Sequence, residues 1–380
     1  MIPTLQIGLV TACYKPVKNG VTRMVDLYRQ HLEKQGHQVT IFTLGRPDPA
    51  GDDPQVVRSP GLPLRNTGYY LTAGYDQKTR ALLRRMDILH GHHLFMSVEL
   101  AHRYADCPIV YTNHTRYDYY MAHYTPLPQG AANSLMRWLW PRMTRCCRAV
   151  IAPTTQLRDV LRRFGVTRPV TVIPNGIDLA PFHHPAAPLT KADLGIPAGT
   201  CLLIYVGRLS AEKNVAGLVQ QFGQAAGRQR NLHLLLIGSG PQAGLLARQA
   251  AKEGLTGRVH YHGPVPYGQV SNILAAADVF VTASTTEVHP LSVMEAMAAG
   301  LPVAAINSPG LQDLVIPGRN GILARDPAHL AEAICALVAD PRRMRAMGAA
   351  GRADSHRYDI RHTVEQTVNL YTKVLSGTSP

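Results

Sequence analysis

Two kinds of hydrophobic pattern alternate along the first part of the chain. Residues 5–11 form a short apolar run that predicts a strand, and residues 39–44 form a second one. Between them, apolar side chains recur at helical spacing before Gly36, at Val21, Met24, Val25, Tyr28 and Leu32. A strand, a helix and a strand in this order predict a right-handed crossover and a parallel sheet.

The same pattern starts again after a proline-rich segment, residues 181–188, which is typical of a linker between domains. Residues 201–206 form the first predicted strand of the second half, and further short strands are predicted at residues 232–237, 259–261, 279–282 and 303–306. The chain is therefore predicted to be α/β, with two doubly wound, Rossmann-like domains at residues 1–185 and 186–357. Residues 358–380 predict an amphipathic C-terminal helix that packs back toward the N-terminal domain.

Two carboxylates, eight positions apart, flank the start of a predicted helix in the second half. An apolar strand is predicted at residues 277–283, and a helix with proline in its first turn at residues 290–299. Glu287 thus follows the carboxyl end of a strand, where parallel sheets bind ligands and free N–H groups favour phosphate. Glu295, about two helical turns further on, can accept hydrogen bonds from ligand hydroxyls in the same pocket. The alternative is a capping acid and a surface acid.

Two cations follow the first strand of the second half. Arg208 stands at the end of this strand and Lys213 in the loop after it, so that both side chains can converge on a diphosphate. Two solvated surface cations are the alternative. In the first half, Gly20 lies between the first strand and the first helix, and its amide can face a phosphate, although glycine also simply makes a turn.

Several histidines follow strands of the first half. His114 comes after the predicted strand at residues 109–111, which places it at a sheet edge rather than in a core, although a lone histidine can equally be structural. His90, His92 and His93 are close enough to suggest zinc, but no cysteine or acid at ligand spacing completes such a site. We therefore assign no metal.

Residues 238–243 match the dinucleotide-binding pattern G-x-G-x-x-A between a strand and a helix. The match lies within the second half rather than at its first strand, and no acid follows about 20 residues on at the end of a second strand. We interpret it as a tight turn. A nicotinamide-dependent oxidoreductase stays open as an alternative.

Composition and charge limit the classes of partner that the chain is expected to bind. The chain has 380 residues, of which 46% are hydrophobic, enough for two domains with sizeable cores. Lys and Arg number 39 against 25 Asp and Glu, which gives a net charge of +14 and favours anionic partners: nucleic acid, anionic lipid or nucleotide-sugar phosphates. The six cysteines form no CxxC pair, and the N-terminus does not resemble a signal peptide, so we expect a cytosolic protein with reduced thiols and at most peripheral membrane contact.

A basic and aromatic segment, residues 135–145, contains both tryptophans, Trp138 and Trp140, and three arginines. Together with a second basic run that includes Arg84 and Arg85, it predicts an interfacial surface for anionic lipid. Burial of the tryptophans in helix packing is the alternative.

Taken in order, these motifs resemble the retaining glycosyltransferases of family four, which have the two-domain GT-B fold. The resemblance covers nearly the whole chain and depends on residues 19–21, 113–115, 174–178, 206–213 and 287–300. One departure concerns the donor pocket, since this chain has His289 and Pro290 where the family commonly has an aromatic or polar residue followed by glycine. Proline has no N–H, so one donor to sugar or phosphate is absent, whereas the amides of His289, Leu291 and Ser292 remain.

The resemblance also implies roles for single residues. Arg208 and Lys213 would bind the nucleotide diphosphate, Gly20 would close over it, Glu287 would hold hydroxyls of the donor sugar, and Glu295 would hold the ribose. His114 matches the active-site histidine of the family near the reacting sugar. His289 is expected to contact the sugar. The family's usual scheme is front-face transfer with protein cations in place of a metal, so no cofactor is expected.

Within the family, the chain looks most like bacterial lipid glucosyltransferases and mannosyltransferases at the cytoplasmic face of the membrane. The expected activity is retaining, metal-independent transfer of a hexose from a nucleotide-diphosphate sugar, UDP-hexose first, to a lipid such as diacylglycerol. His92, His93 and Tyr117 are expected on the acceptor side. A soluble glycan or small metabolite is the alternative acceptor. A nucleic-acid-binding protein is the alternative from charge alone, but no recognised motif supports it.

Overall fold

The computed structural model describes residues 3–64, 68–125 and 127–378. Met1 and Ile2, in the N-terminal segment discussed above, and Ser379 and Pro380, at the end of the predicted C-terminal helix, lie outside these residues. The chain divides into two compact units. Unit 1 comprises Met1–Gly176 with Ile360–Pro380, and unit 2 comprises Ile177–Asp359. The division therefore falls at Gly176 rather than after the proline-rich segment.

Unit 1 is built around a parallel sheet. Its strands in chain order are β1 (Gln6–Val10), β2 (Gln38–Leu44), β3 (Val56–Ser59), β4 (Leu62–Pro63), β5 (Tyr70–Leu71), β6 (Ile88–Gly91), β7 (Ile109–Thr112), β8 (Ala149–Ala152) and β9 (Val170–Val172). Its helices up to the division are α1 (Gly20–Lys34), α2 (Gln77–Leu83), α3 (Glu99–His102), α4 (Tyr117–Tyr124), α5 (Gln129–Thr144) and α6 (Thr155–Arg163). In the described residues the sheet order is β3-β2-β1-β6-β7-β8-β9, and β4 and β5 form a separate antiparallel pair.

Local signals fix the first crossover of unit 1. The side chain of Asn19 accepts a hydrogen bond from the Thr22 amide at 2.9 Å, and the Thr22 hydroxyl accepts one from the Asn19 amide at 3.0 Å. This reciprocal cap satisfies two amides that have no partner inside the helix. Gly36 lies just past the end of α1 with φ of +89°, a left-handed conformation that glycine adopts without strain. The predicted strand, helix and strand are therefore confirmed.

Unit 2 repeats this architecture. Its strands are β10 (Cys201–Val206), β11 (Leu232–Ile237), β12 (Val259–Gly263), β13 (Val279–Thr282), β14 (Val303–Ile306) and β15 (Gly321–Ala324). Its helices are α7 (Ala180–His183), α8 (Val215–Arg228), α9 (Ala243–Lys252), α10 (Tyr267–Leu274), α11 (Leu291–Ala298), α12 (Leu330–Val338) and α13 (Pro341–Ser355). Its parallel sheet has the order β12-β11-β10-β13-β14-β15 in the described residues.

Both faces of the unit 2 sheet are covered by helices. Along β10, Leu203 and Tyr205 enter one buried cluster together with residues of α8 and α12. Leu202 and Ile204 enter a second cluster together with residues of α10 and α11. Successive side chains of a strand point to opposite faces, so a strand that is apolar at every position requires helices on both sides.

The C-terminal helix α14 (Ile360–Leu375) belongs to unit 1, where it packs against α1. A Cβ atom on Gly176 would lie 2.6 Å from the Cα atom of Ile360, so only glycine allows the chain to pass this close to the start of α14. The Thr363 hydroxyl donates a hydrogen bond to the Pro174 carbonyl at 3.0 Å, close to the same crossing. The sequence 174–178 thus has a packing role at this point.

Candidate active site

An ion pair joins two of the predicted donor-binding residues of unit 2. Lys213 ends a short 3-10 turn, Ala211–Lys213, and Glu287 lies in the loop that follows β13. The Lys213 Nζ atom is 2.7 Å from Glu287 Oε1, and the two side chains are only 20% and 15% exposed. The structure therefore brings together a cation and an acid that are far apart in sequence, beside the amino terminus of α11.

Two hydroxyl groups stabilise the turn that carries Lys213, and sequence reasoning missed both. The hydroxyl of Ser210 donates to the carboxylate of the buried Glu212 at 2.6 Å. The hydroxyl of Thr286 donates to the backbone carbonyl of Glu212 at 3.0 Å, which ties the Lys213 turn to the Glu287 loop. Small hydroxyl residues next to charged ones are common in loops, so no sequence pattern specifically indicates these contacts.

Glycines let four loops of unit 2 approach one another in two pairs at the carboxyl end of the sheet. A Cβ on Gly238 would lie 1.9 Å from the Gly207 carbonyl oxygen, and one on Gly240 would lie 2.2 Å from the Leu209 carbonyl oxygen. Likewise, a Cβ on Gly310 would lie 2.1 Å from the Glu287 carbonyl oxygen. The tight turn predicted at residues 238–243 is thus a close backbone contact with the loop that carries Arg208.

The remaining donor-side residues of unit 2 are Arg208 in the loop after β10, and Leu291, Ser292 and Glu295 in α11. The side chain of Arg208 is exposed, while the Tyr205 hydroxyl donates to its backbone carbonyl at 3.0 Å. Glu295 is buried within α11 and accepts a hydrogen bond from the Tyr267 hydroxyl at 2.9 Å, a partner that the sequence did not indicate. Leu291 and Ser292 are the first two residues of α11, so their amides have no carbonyl partner inside the helix.

His289 has a packing role. Its residue surface is 4% exposed, and its ring meets the Tyr358 ring edge-on with centroids 5.3 Å apart. Burial lowers the pKa of His289 to about 3, so the imidazole is neutral at pH 7. Pro290 caps α11 with extended backbone angles. Contact between His289 and a sugar stays a prediction.

In unit 1, His114 follows β7 and is partly exposed. Its Nε2 atom lies 3.1 Å from Nδ1 of His92, and the two rings are stacked with centroids 5.3 Å apart. Burial, with a smaller contribution from His93 and His90, lowers the pKa of His114 to about 3. The ring is therefore neutral at pH 7, and it lies just past the carboxyl end of β7.

His92 and His93 require a correction, because both lie in the protein interior rather than on an acceptor surface. Nδ1 of His93 accepts a hydrogen bond from the Ala12 amide at 3.3 Å, and its Nε2 lies 3.3 Å from the Tyr69 hydroxyl. Within the described ranges, no three His, Cys, Asp or Glu side chains converge on a position that could hold a metal ion.

Gly20 is the first residue of α1, directly after its Asn19 cap. A Cβ atom built on Gly20 meets nothing within 4 Å. Packing therefore does not require glycine here.

The basic and aromatic surface separates into exposed and buried parts. Trp138 is 53% exposed, and the Arg142 guanidinium lies 4.5 Å from its ring centroid. Trp140 is completely buried and meets Phe164 and Tyr117 edge-on, which corrects its expected contact with a membrane. The Tyr117 hydroxyl accepts a hydrogen bond from the Leu94 amide at 3.0 Å, so this residue also has a structural role.

Arg84 and Arg85, at the end of α2, are exposed. None of the helices in the described part of the chain combines the length and the apolar character needed to cross a membrane.

The chain belongs to the GT-B class of α/β proteins. This class has two units, each built around a parallel sheet, and in this chain charged residues lie at the carboxyl end of the second sheet. A solved structure of the Anabaena protein HepE in complex with UDP and glucose has this fold, with a TM-score of 0.78 and 18% identity over 97% of this chain and 100% of that one. The model "Glycosyl transferases group 1" matches residues 188–354, and "Glycosyltransferase Family 4" matches residues 18–181.

Curated relatives are similar over most of their length. The alpha-monoglucosyldiacylglycerol synthase of Streptococcus pneumoniae is 30% identical over 354 residues, which cover 89% of this chain and 79% of that protein. The enzyme of the same name from Acholeplasma laidlawii is 31% identical over 338 residues, 84% of each chain. The chain thus belongs to the group 1, family 4 glycosyltransferases.

Proposed function

We propose that this protein transfers a hexose, with retention of configuration, from a nucleotide-diphosphate sugar to a lipid acceptor such as diacylglycerol. The Lys213–Glu287 ion pair beside the amino terminus of α11 carries this proposal. It offers a cation for a diphosphate and, 2.7 Å away, a carboxylate for sugar hydroxyls. Two relatives about 30% identical are named as glucosyldiacylglycerol synthases, which supports the lipid acceptor.

The donor is proposed to be a UDP-hexose, in line with the UDP and glucose bound to the structurally similar HepE. Its diphosphate would contact Arg208, Lys213 and the free amides of Leu291 and Ser292. Glu287 would accept hydrogen bonds from sugar hydroxyls and Glu295 from the ribose. The exposed position of the Arg208 side chain leaves its guanidinium accessible to a diphosphate bound by unit 2.

In the proposed reaction, the acceptor oxygen attacks the anomeric carbon from the side on which the diphosphate departs. The bond to the diphosphate breaks with both electrons, and a phosphate oxygen takes the proton of the acceptor hydroxyl. Arg208, Lys213 and the amino terminus of α11 would stabilise the developing negative charge, so that protein groups take the place of a metal ion.

We further propose peripheral binding to the cytoplasmic face of an anionic membrane. The exposed Trp138 with Arg142, and the exposed Arg84 and Arg85, support this part of the proposal. An aromatic ring with adjacent cations suits the interface between headgroups and acyl chains. Binding to anionic vesicles that weakens as salt is added is expected, because salt screens this attraction.

The experiment is nucleotide release from UDP-, GDP- and ADP-hexoses, with and without anionic vesicles that contain diacylglycerol. Release from one donor that vesicles stimulate and that Glu287→Ala abolishes is expected. The control is Asp278→Asn, which breaks another ion pair of unit 2, Lys191–Asp278, before β13 rather than after it.

If nucleotide release is unaffected by the vesicles but is stimulated by soluble glycans, the acceptor is a soluble glycan rather than a lipid. No turnover and no binding of any nucleotide sugar would refute the proposal.

A further inference from the structure

Tyr371, on the buried face of α14, reaches a group of histidines that leads to His114. The Tyr371 hydroxyl lies 2.6 Å from Nδ1 of His90, and Nε2 of His90 lies 2.6 Å from Oγ1 of Thr112. All three side chains are buried. Thr112 is the last residue of β7 and precedes His114 by two positions. His90 therefore connects α14 with the end of the strand that carries His114.

The two oxygens must play opposite roles toward His90. Burial lowers the pKa of His90 to about 3, so its ring is neutral at pH 7 and has one N–H group and one lone pair. A phenol is more acidic than an aliphatic alcohol and is the better donor. Tyr371 therefore donates to Nδ1, and the Nε2–H group of His90 donates to Thr112.

His92 and His114 share a hydrogen bond in which only one nitrogen carries a proton. The His92 ring lies against that of His90, with centroids 4.2 Å apart, and its Nδ1 is 3.1 Å from Nε2 of His114. Nε2 of His92 is buried and has no hydrogen-bond partner within the described residues.

A buried N–H group without an acceptor costs more free energy than a buried lone pair. This difference favours a proton on Nδ1 of His92, which then donates to His114. As a result, His114 carries its own proton on Nδ1.

We infer that His92 holds His114 as the Nδ1–H tautomer, and that Tyr371 and His90 are positioning residues that keep the His92 ring and the end of β7 in place. The inference rests on the proposed role of His114 beside the reacting sugar. There, His114 would donate a hydrogen bond to an oxygen of the sugar or the acceptor. It would not act as the base, so the acceptor proton goes to the departing diphosphate. Among the described residues, His114 makes no second hydrogen bond, and its ring is partly exposed.

The chain offers a matched pair of variants. Tyr371→Phe removes the hydroxyl that contacts His90. Tyr28→Phe removes another buried hydroxyl at the α1–α14 interface. This hydroxyl lies 3.2 Å from Oγ1 of Thr367. Both variants lose one buried hydrogen bond to or from α14, so both are expected to lower the Tm by a similar amount, about 2–4 °C.

Only Tyr371→Phe removes a hydrogen bond of His90, because Tyr28→Phe keeps the ring that meets His90 edge-on at 5.2 Å. The kcat of Tyr371→Phe is therefore expected to fall about tenfold with the KM for the donor unchanged within about twofold. Tyr28→Phe is expected to change kcat less than about twofold. Equal losses of kcat in both variants would overturn the inference, because they would mean that the network acts only through general stability.

A second readout does not depend on turnover. In ¹⁵N-histidine NMR spectra at pH 7.5, with signals assigned by His114→Gln, His114 is expected as the Nδ1–H tautomer. His92→Phe, which keeps an aromatic ring but removes the hydrogen bond, is expected to shift this signal toward the Nε2–H form. An Nε2–H signal in the unaltered protein would refute the inference. If His114 is Nδ1–H but no sugar is transferred, the proposed function fails while the tautomer assignment holds.

Discussion

Glu287→Gln separates the two proposed roles of the Lys213–Glu287 ion pair, which are binding of the diphosphate by Lys213 and binding of the sugar hydroxyls by Glu287. The variant keeps the size of the side chain and one carbonyl oxygen, but it removes the charge that faces Lys213 at 2.7 Å. Lys213 then interacts with a bound diphosphate without a competing carboxylate. Sugar hydroxyls, in contrast, lose a charged acceptor.

The two effects have opposite signs and different sizes. Exposed ion pairs contribute about 0.2–1 kcal/mol, and pairs near the surface with a low effective dielectric interact by up to about 4 kcal/mol at ~4 Å. At 20% and 15% exposure, this pair lies between those limits. If about 1 kcal/mol is released, the affinity for UDP rises about fivefold. Loss of hydrogen bonds to a charged acceptor, at about 1.5–3 kcal/mol, lowers kcat/KM for transfer about 10- to 150-fold.

The assay is calorimetric titration with UDP together with transfer kinetics for UDP-hexose, in the unaltered protein, Glu287→Gln and Asp278→Asn. The control Asp278→Asn also loses a carboxylate that pairs with a lysine, at 2.6 Å, but it is expected to leave both quantities unchanged within about twofold. The reasoning is wrong if Glu287→Gln weakens UDP binding more than about fivefold, because the carboxylate would then support the diphosphate site rather than compete for Lys213.

Three further predictions follow from burial and open space. Gly20→Ala should leave the Tm unchanged or slightly raised, since the new methyl group meets no packed neighbour within 4 Å, but it should weaken UDP binding in a titration. In vesicle sedimentation, Trp138→Ala should weaken binding to anionic vesicles without a change in Tm, whereas Trp140→Ala should destabilise the protein by about 3–5 kcal/mol in urea unfolding. Burial depresses the pKa of His90 and His289 to about 3, so the unfolded chain binds more protons below the ordinary value of 6.5, and stability should fall as the pH drops from 6.5 toward 3. The limit is about 1.4 kcal/mol per pH unit and histidine, and a Tm that stays constant from pH 6.5 to 4.5 would contradict this.

Much of the fold could be predicted because its signals are local. The strands of unit 2 at residues 201–206, 232–237, 279–282 and 303–306 coincide with the predicted runs, and Gly36 ends α1 as expected. The division between the units was less predictable. It depends on the close passage of Gly176 beside α14, a contact between segments more than 180 residues apart in sequence.

In the candidate site, too, contacts between residues far apart in sequence could not be predicted. Glu287 and Lys213 were each singled out from their positions after strands, but their pairing joins loops 74 residues apart and has no local signature. Trp138 and Trp140 stand two positions apart on one helix and so face different directions, which the composition of the segment does not reveal. The hydrogen bonds of His90 and His92 depend on neighbouring strands and on α14, and no spacing within the motif contains them.

The most direct test of the central claim is isolation of the product formed from UDP-hexose and diacylglycerol vesicles, with its anomeric linkage determined by NMR. The account predicts a lipid that carries one hexose in the same anomeric configuration as the donor, and a product yield that depends on Glu287. A product of inverted configuration would contradict front-face transfer. Bound UDP-hexose without any transfer to lipid or glycan would contradict the assignment of this site to glycosyl transfer.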